Sequence, residues 1–184
     1  MTKKIAKTKF SAKRLATLAV LSALAVCSFA VENLFPPLFL PGAKLGLGNA
    51  FSLFALLVLG PVDGIIVAVV RTTIGSLIVG NLSTLLYSLT AGLFAVLLQA
   101  VLVGYLYPAV SVVAVSVCGA VAHNIAQNTV FVLVSNTYEM VAYMPYLALV
   151  GILSGVVVGV AVWLALKFLP QHMLADLAAQ NTEA

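Results

Sequence analysis

Carboxylates are nearly missing from this chain. Aspartate occurs only as Asp63 and Asp176, far apart in sequence, and Asp and Glu together number five in 184 residues. An aspartate-rich magnesium site for diphosphate chemistry therefore has no ligands to draw on. Also missing are a Cys/His cluster with metal-ligand spacing, a Ser-His-Asp or Cys-His arrangement supported by spacing, and a GxxxxGK[ST] phosphate loop. These absences argue against an enzyme, a resident metal or a cofactor. The two cysteines, Cys27 and Cys118, lie inside apolar runs and read as small packing residues rather than a disulfide. Charge of any sign is scarce at 8%, against about a quarter in soluble domains, while 63% of the residues are hydrophobic.

That composition excludes water as the solvent for most of the surface, because long segments are apolar all round rather than along one stripe. The expectation is an all-α integral membrane protein of about six transmembrane helices, at 15–31, 45–59, 62–80, 82–105, 109–134 and 146–169. Residues 1–14 form a basic amino-terminal segment, 15–169 the transmembrane domain and 170–184 a tail. Breakers delimit the runs: Pro36-Pro37, Gly60-Pro61, Pro108 and Pro145. The second run is short for a bilayer of about 30 Å, so it is expected to be broken or partly buried in protein.

Lys3, Lys4, Lys7, Lys9, Lys13 and Arg14 all precede the first apolar run. Beside a membrane helix this cluster reads as a cytoplasmic topology signal and a contact for anionic lipid, not as a nucleic-acid surface. Six spans then place both termini in the cytoplasm of a cell membrane, with Glu32, Lys44 and Glu139 outside and Asp63 inside. Ser28-Phe29-Ala30 gives the first span a signal-peptide look, but the further spans favour an uncleaved helix.

Polar groups at membrane depth are the candidate binding residues. Arg71 lies about nine residues from either end of its span, hence about 13 Å deep at 1.5 Å per residue. Such a residue needs a partner or a wet cavity. No carboxylate is expected at that depth, Glu32 being the nearest but set at the outer interface, so an anion carried by a ligand, or backbone carbonyls, is the expected partner. In HNIAQN, His123 and Gln127 stand at i, i+4, as do Asn124 and Asn128 on an adjacent strip, so all four share a helical face that is costly to turn to lipid. Asn49 and Lys44 belong to the glycine-rich PGAKLGLGN stretch, with Lys44 an outer cation placed to cover a site, and Tyr87, Ser88, Thr72 and Ser76 add weaker polar contacts. On the first span, Ala12, Ala16, Ala19 and Ala23 make small-xxx-small pairs that suit close helix approach, within the bundle or to another protein.

KLGLGN at 44–49, RTTIGSLIVG at 71–80, YSLTAGLFAVLLQ at 87–99 and GAVAHNIAQN at 119–128 together resemble the Gx transporter family, also catalogued as heptaprenyl diphosphate synthase component I. The resemblance extends over roughly residues 10 to 170 and is similar to a branch of the substrate-binding S-components of energy-coupling-factor transporters. It implies an S-component-like six-helix bundle with an outer ligand cavity. It also implies that the small-residue face of the first helix meets a transmembrane coupling subunit served by two ATPases. The expected function is uptake of a small, anionic, vitamin-like or quinone/isoprenoid-related molecule. The alternative is a non-catalytic membrane accessory of isoprenoid or quinone biosynthesis.

Overall fold

The computed structural model describes residues 12–34, 46–79 and 82–182. Among them the chain is helical throughout, without strands: α1 (Ala12–Leu34), α2 (Gly48–Val58), α3 (Pro61–Val79), α4 (Leu82–Leu106), α5 (Val112–Ser135), a 3-10 turn (Tyr138–Tyr143), α6 (Met144–Phe168) and α7 (Gln171–Thr182). The expected spans reappear with small shifts of their ends. Five stretches are long and apolar enough to cross a membrane, and they correspond to α1, α3, α4, α5 and α6. The exception is α2, whose 11 residues rise only about 16 Å, roughly half a hydrocarbon core. It survives because it packs against α1, α3, α4 and α6 rather than standing in lipid.

Local chemistry sets the helix ends. Leu59 and Gly60 donate to the Ala55 carbonyl at 2.8 and 3.0 Å, Gly60 takes φ 112°, and Pro61 opens α3 where no N–H is needed. At α5, Ser111 Oγ accepts from the Ala114 N–H at 3.1 Å, and left-handed Asn136 ends the helix. At the end of α6, the Lys167 ammonium sits 5.0 Å from the Trp163 ring centroid.

The closest helix pair, α5 and α6, depends on a glycine ladder. A Cβ at Gly151, Gly155 or Gly159 would lie 2.9, 2.5 or 2.7 Å from the Cα of Val121, Val117 or Val113. Backbones that close exclude any side chain, and in lipid this contact is itself the driving force for association. Two apolar clusters complete the interior. One joins Leu53, Leu56, Val96, Val115 and Val162, and the other joins Leu18, Ala25, Ala55, Leu59 and Val67.

The carboxyl-terminal tail carries α7, which places Leu177 against the Leu18–Leu59 cluster. Two expectations need correction. Cys27 and Cys118 are unbridged but exposed on the bundle surface rather than packed in its core. Arg14, read as part of the amino-terminal cluster, is buried in a two-pronged ion pair with Asp63, Nε to Oδ1 at 3.2 Å and Nη2 to Oδ2 at 2.7 Å. This pair ties the start of α1 to the start of α3, and it marks one end of the bundle.

Candidate functional site

The other end of the bundle holds a polar cavity. Residues of α1, α2, α4, α5 and α6 and of the turn before α2 converge there with Arg71, which projects from the middle of α3 and is only 4% exposed. Gly48 permits this position. A Cβ there would lie 2.7 Å from Arg71 Cδ and 3.1 Å from Nη1, so the first residue of α2 leaves the space the guanidinium uses. Gly92 of α4 lies near the same group, but a Cβ there would make only ordinary contacts, with Arg71 Nη2 and His123 Cε1 each at 3.9 Å. The side chain is sparsely satisfied: Nη2 reaches Thr72 Oγ1 at a long 3.5 Å, and buried Nε has no hydrogen-bond partner.

α5 lines the cavity with Ala120, His123, Asn124 and Gln127, the i, i+3, i+4, i+7 face of a helix. Asn124 Nδ2 also donates to the Leu147 carbonyl at 3.0 Å, which fixes its amide against α6. Ser88 of α4, Ser154 of α6, Phe29 of α1, and Gly46 with Asn49 before and within α2 close the remaining sides. Space not filled by atoms amounts to about 510 Å³, open mouth included, but its enclosed part holds no more than a few waters. A smaller polar recess shares Asn49 and Ala120 with it and continues toward Ser52, Gln99 and Ser116.

The remaining wall residue alters the electrostatics. Glu32, in the last turn of α1, borders the same cavity as Arg71, and its Oε1 accepts a hydrogen bond from the Gly46 N–H. The expectation that no carboxylate stands near Arg71 is therefore corrected. α1 runs to Leu34, three residues beyond the apolar run, so Glu32 is carried on the helix instead of lying in a loop.

Of the residues singled out from sequence, Arg71, His123, Asn124, Gln127 and Asn49 come together. Asn128 does not line the cavity, because its amide donates to the Met140 carbonyl at 2.9 Å and anchors the 3-10 turn. Tyr87 also points elsewhere, edge-on to Phe131 at 5.6 Å. Lys44 lies outside the described residues. Sequence reading set Glu32, the nearest acid, at the outer interface, and it missed Phe29 and the buried amide of Gln99, whose signal was a lone Gln in a 25-residue apolar helix. Among the described residues no group of three or more His, Cys, Asp or Glu is placed to hold a metal.

The small-residue face of α1 points out of the bundle. Ala12, Ala16, Ala19 and Ala23 are all exposed, and Ala19 and Ala23 line an apolar groove with Leu15, Val26, Ile66, Val70 and Ile74. Packing within the bundle falls instead to Leu18, Ser22, Ala25 and Phe29.

A family model for heptaprenyl diphosphate synthase component I matches residues 21–164. The chain belongs to that family. No curated relative and no solved structure matches it. Every described cavity residue falls within the matched stretch, whereas Arg14 and α7 fall outside it.

Proposed function

We infer that this protein is a membrane-embedded, non-catalytic subunit that binds a small polar molecule in the Arg71 cavity for uptake. The observation that carries the reading is a buried guanidinium, with an unsatisfied Nε, facing a wall of amides and hydroxyls at one end of an apolar bundle. An arginine in a membrane interior costs about 2.5–3.5 kcal/mol on insertion scales, so a site that keeps it incompletely paired points to use. The nearby carboxylate and amides lack the grouping that metal-assisted diphosphate chemistry requires. The reading places the protein in a cell membrane with both termini cytoplasmic, so introduced cysteines near position 175 should label only from the cytoplasmic side.

Transport requires coupling, and the outward Ala19–Ala23 face with its apolar groove suits a transmembrane coupling subunit served by two ATPases, in the manner of S-components. The second reading, an accessory of isoprenoid or quinone synthesis, draws on the family's name. Native mass spectrometry of gently extracted protein separates the two. A retained small molecule supports uptake, whereas an empty protein that co-purifies with a soluble prenyl synthase supports the accessory role.

A further inference from the structure

Three helices carry an uncharged polar residue one or two turns past the level of the Arg71 guanidinium. On α2, Gly48 lies against that guanidinium, and Ser52 stands one turn later, about 6 Å farther along the axis. On α5, Ala120 borders the Arg71 cavity and Ser116 precedes it by one turn. On α4, Gly92 neighbours Arg71 Nη2 and Gln99 stands two turns on. Ser52, Gln99 and Ser116 together wall the smaller recess, which shares Asn49 and Ala120 with the Arg71 cavity. Each of the three is more than nine-tenths buried.

Small residues make the room in this recess. Gly119 of α5 leaves the place that the Gln99 amide uses, since a Cβ there would lie 2.2 Å from Nε2. Ser52 Oγ is buried without a hydrogen-bond partner, a cost that a guest oxygen would remove. None of the side chains lining the recess is charged, so an ion taken into it would lose its hydration without gaining a counter-charge. Its enclosed part is about the size of one water, which suits a single oxygen and excludes a hydrated ion. Serine hydroxyls and a glutamine amide both donate and accept, so they can meet a hydroxyl or a carbonyl. We propose that the recess is the second half of the binding site. It takes the uncharged hydroxyl or carbonyl oxygen of a molecule whose other polar end lies on Arg71, and Ser52 and Gln99 select that oxygen. The proposal rests on the binding reading above and adds to its ligand a second polar group, one to two helical turns, or about 5–11 Å, from the first.

The test uses the full chain in lipid nanodiscs and reads affinity by thermal-shift titration. The probes are carboxylates of increasing length with a terminal hydroxyl: glycolate, γ-hydroxybutyrate and ε-hydroxyhexanoate. Acetate, butyrate and hexanoate lack the hydroxyl, and succinate ends in a second charge. Glycolate is too short to reach the recess and should gain nothing over acetate. γ-Hydroxybutyrate or ε-hydroxyhexanoate should bind about three- to tenfold more tightly than its deoxy counterpart, as one net hydrogen bond implies, and more tightly than succinate. Ser52→Ala, a one-atom truncation, should cut that advantage to less than about twofold, and Gln99→Leu should do the same. A packing role alone would shift melting temperature equally with hydroxylated and deoxy probes while the advantage persists, and that result overturns the proposal. Deoxy acids bound as well as hydroxy acids also overturn it, since the recess then holds a resident water only. In either case, loss of probe binding in Arg71→Gln leaves the binding reading standing. If no probe stabilises the chain, the molecule retained through gentle purification and identified by native mass spectrometry decides. An uncharged hydroxyl or carbonyl set several bonds from a second polar group supports the proposal, and a molecule with a single polar end overturns it alone. No retained molecule and no stabilising probe overturns the binding reading itself, and the proposal with it.

Discussion

Arg14 and Arg71 are both buried, at 2% and 4% exposure, yet one is tied to the start of α3 and the other projects from its middle, in unlike surroundings. Arg14 grips Asp63 through two parallel contacts in packed protein, with Asp63 fully buried. Arg71 faces a cavity, shares it with Glu32, and leaves Nε without a hydrogen bond. A guanidinium fork is matched to a carboxylate fork, so the charge of Arg14 is met inside the protein, although its Nη1 lies buried outside those two contacts. Among the described contacts Arg71 has no such two-pronged carboxylate partner. Equal burial thus accompanies different surroundings: Arg14 holds α1 to α3, whereas Arg71 is the residue to which the proposed function assigns ligand binding.

The largest effect should come from breaking the complete pair. Arg14→Leu or Asp63→Leu each strands a buried charge and should destabilise the protein by about 3–5 kcal/mol in reversible detergent unfolding. The double replacement Arg14→Met with Asp63→Leu should recover most of that loss, because removing both charges removes the unmet desolvation cost. Gly155→Val acts at the cavity end instead. Its Cβ would start 2.5 Å from Val117 Cα, so α5 and α6 must separate. A loss of about 1–3 kcal/mol is expected, read as a lower melting temperature together with weaker ligand retention through the displaced Ser154 wall. Asn128→Ala should cost about 1 kcal/mol by leaving the Met140 carbonyl unsatisfied, and ligand retention should stay intact. Asn124→Ala, one turn away on the cavity wall, should lower retention.

The spans were legible because apolar runs and their breakers are local signals: Gly60-Pro61 ends α2 as expected, and Pro145 sits in the first turn of α6. The HNIAQN face was half legible. Helical spacing brought His123, Asn124 and Gln127 to one wall, but spacing alone does not show that Asn128 meets a carbonyl of the following turn. The Arg14–Asp63 pair was missed, and Glu32 was set away from Arg71, for one reason. Charges near the ends of apolar runs were assigned to water, while the helices continue far enough to bury Arg14 with Asp63 and to bring Glu32 to the cavity. The Gly151-Gly155-Gly159 ladder was present in the sequence as small-xxx-small spacing, a signal read only on α1. The small residues of α1 face outward, and those of α6 face α5.

The central claim is that the two buried arginines divide structure from binding, and one paired measurement on Arg14→Leu and Arg71→Leu tests it most directly. Each variant, purified in parallel with the wild type, is scored for melting temperature without ligand and for the amount of co-purifying small molecule detected by native mass spectrometry. Arg71→Leu should lose less than about half the stability that Arg14→Leu loses, since it also sheds an insertion penalty of about 3 kcal/mol, while ligand affinity falls at least about thirtyfold. Arg14→Leu should melt far lower, with its folded fraction still holding ligand. The account is contradicted if Arg71→Leu melts as low as Arg14→Leu while its folded molecules retain ligand as the wild type does.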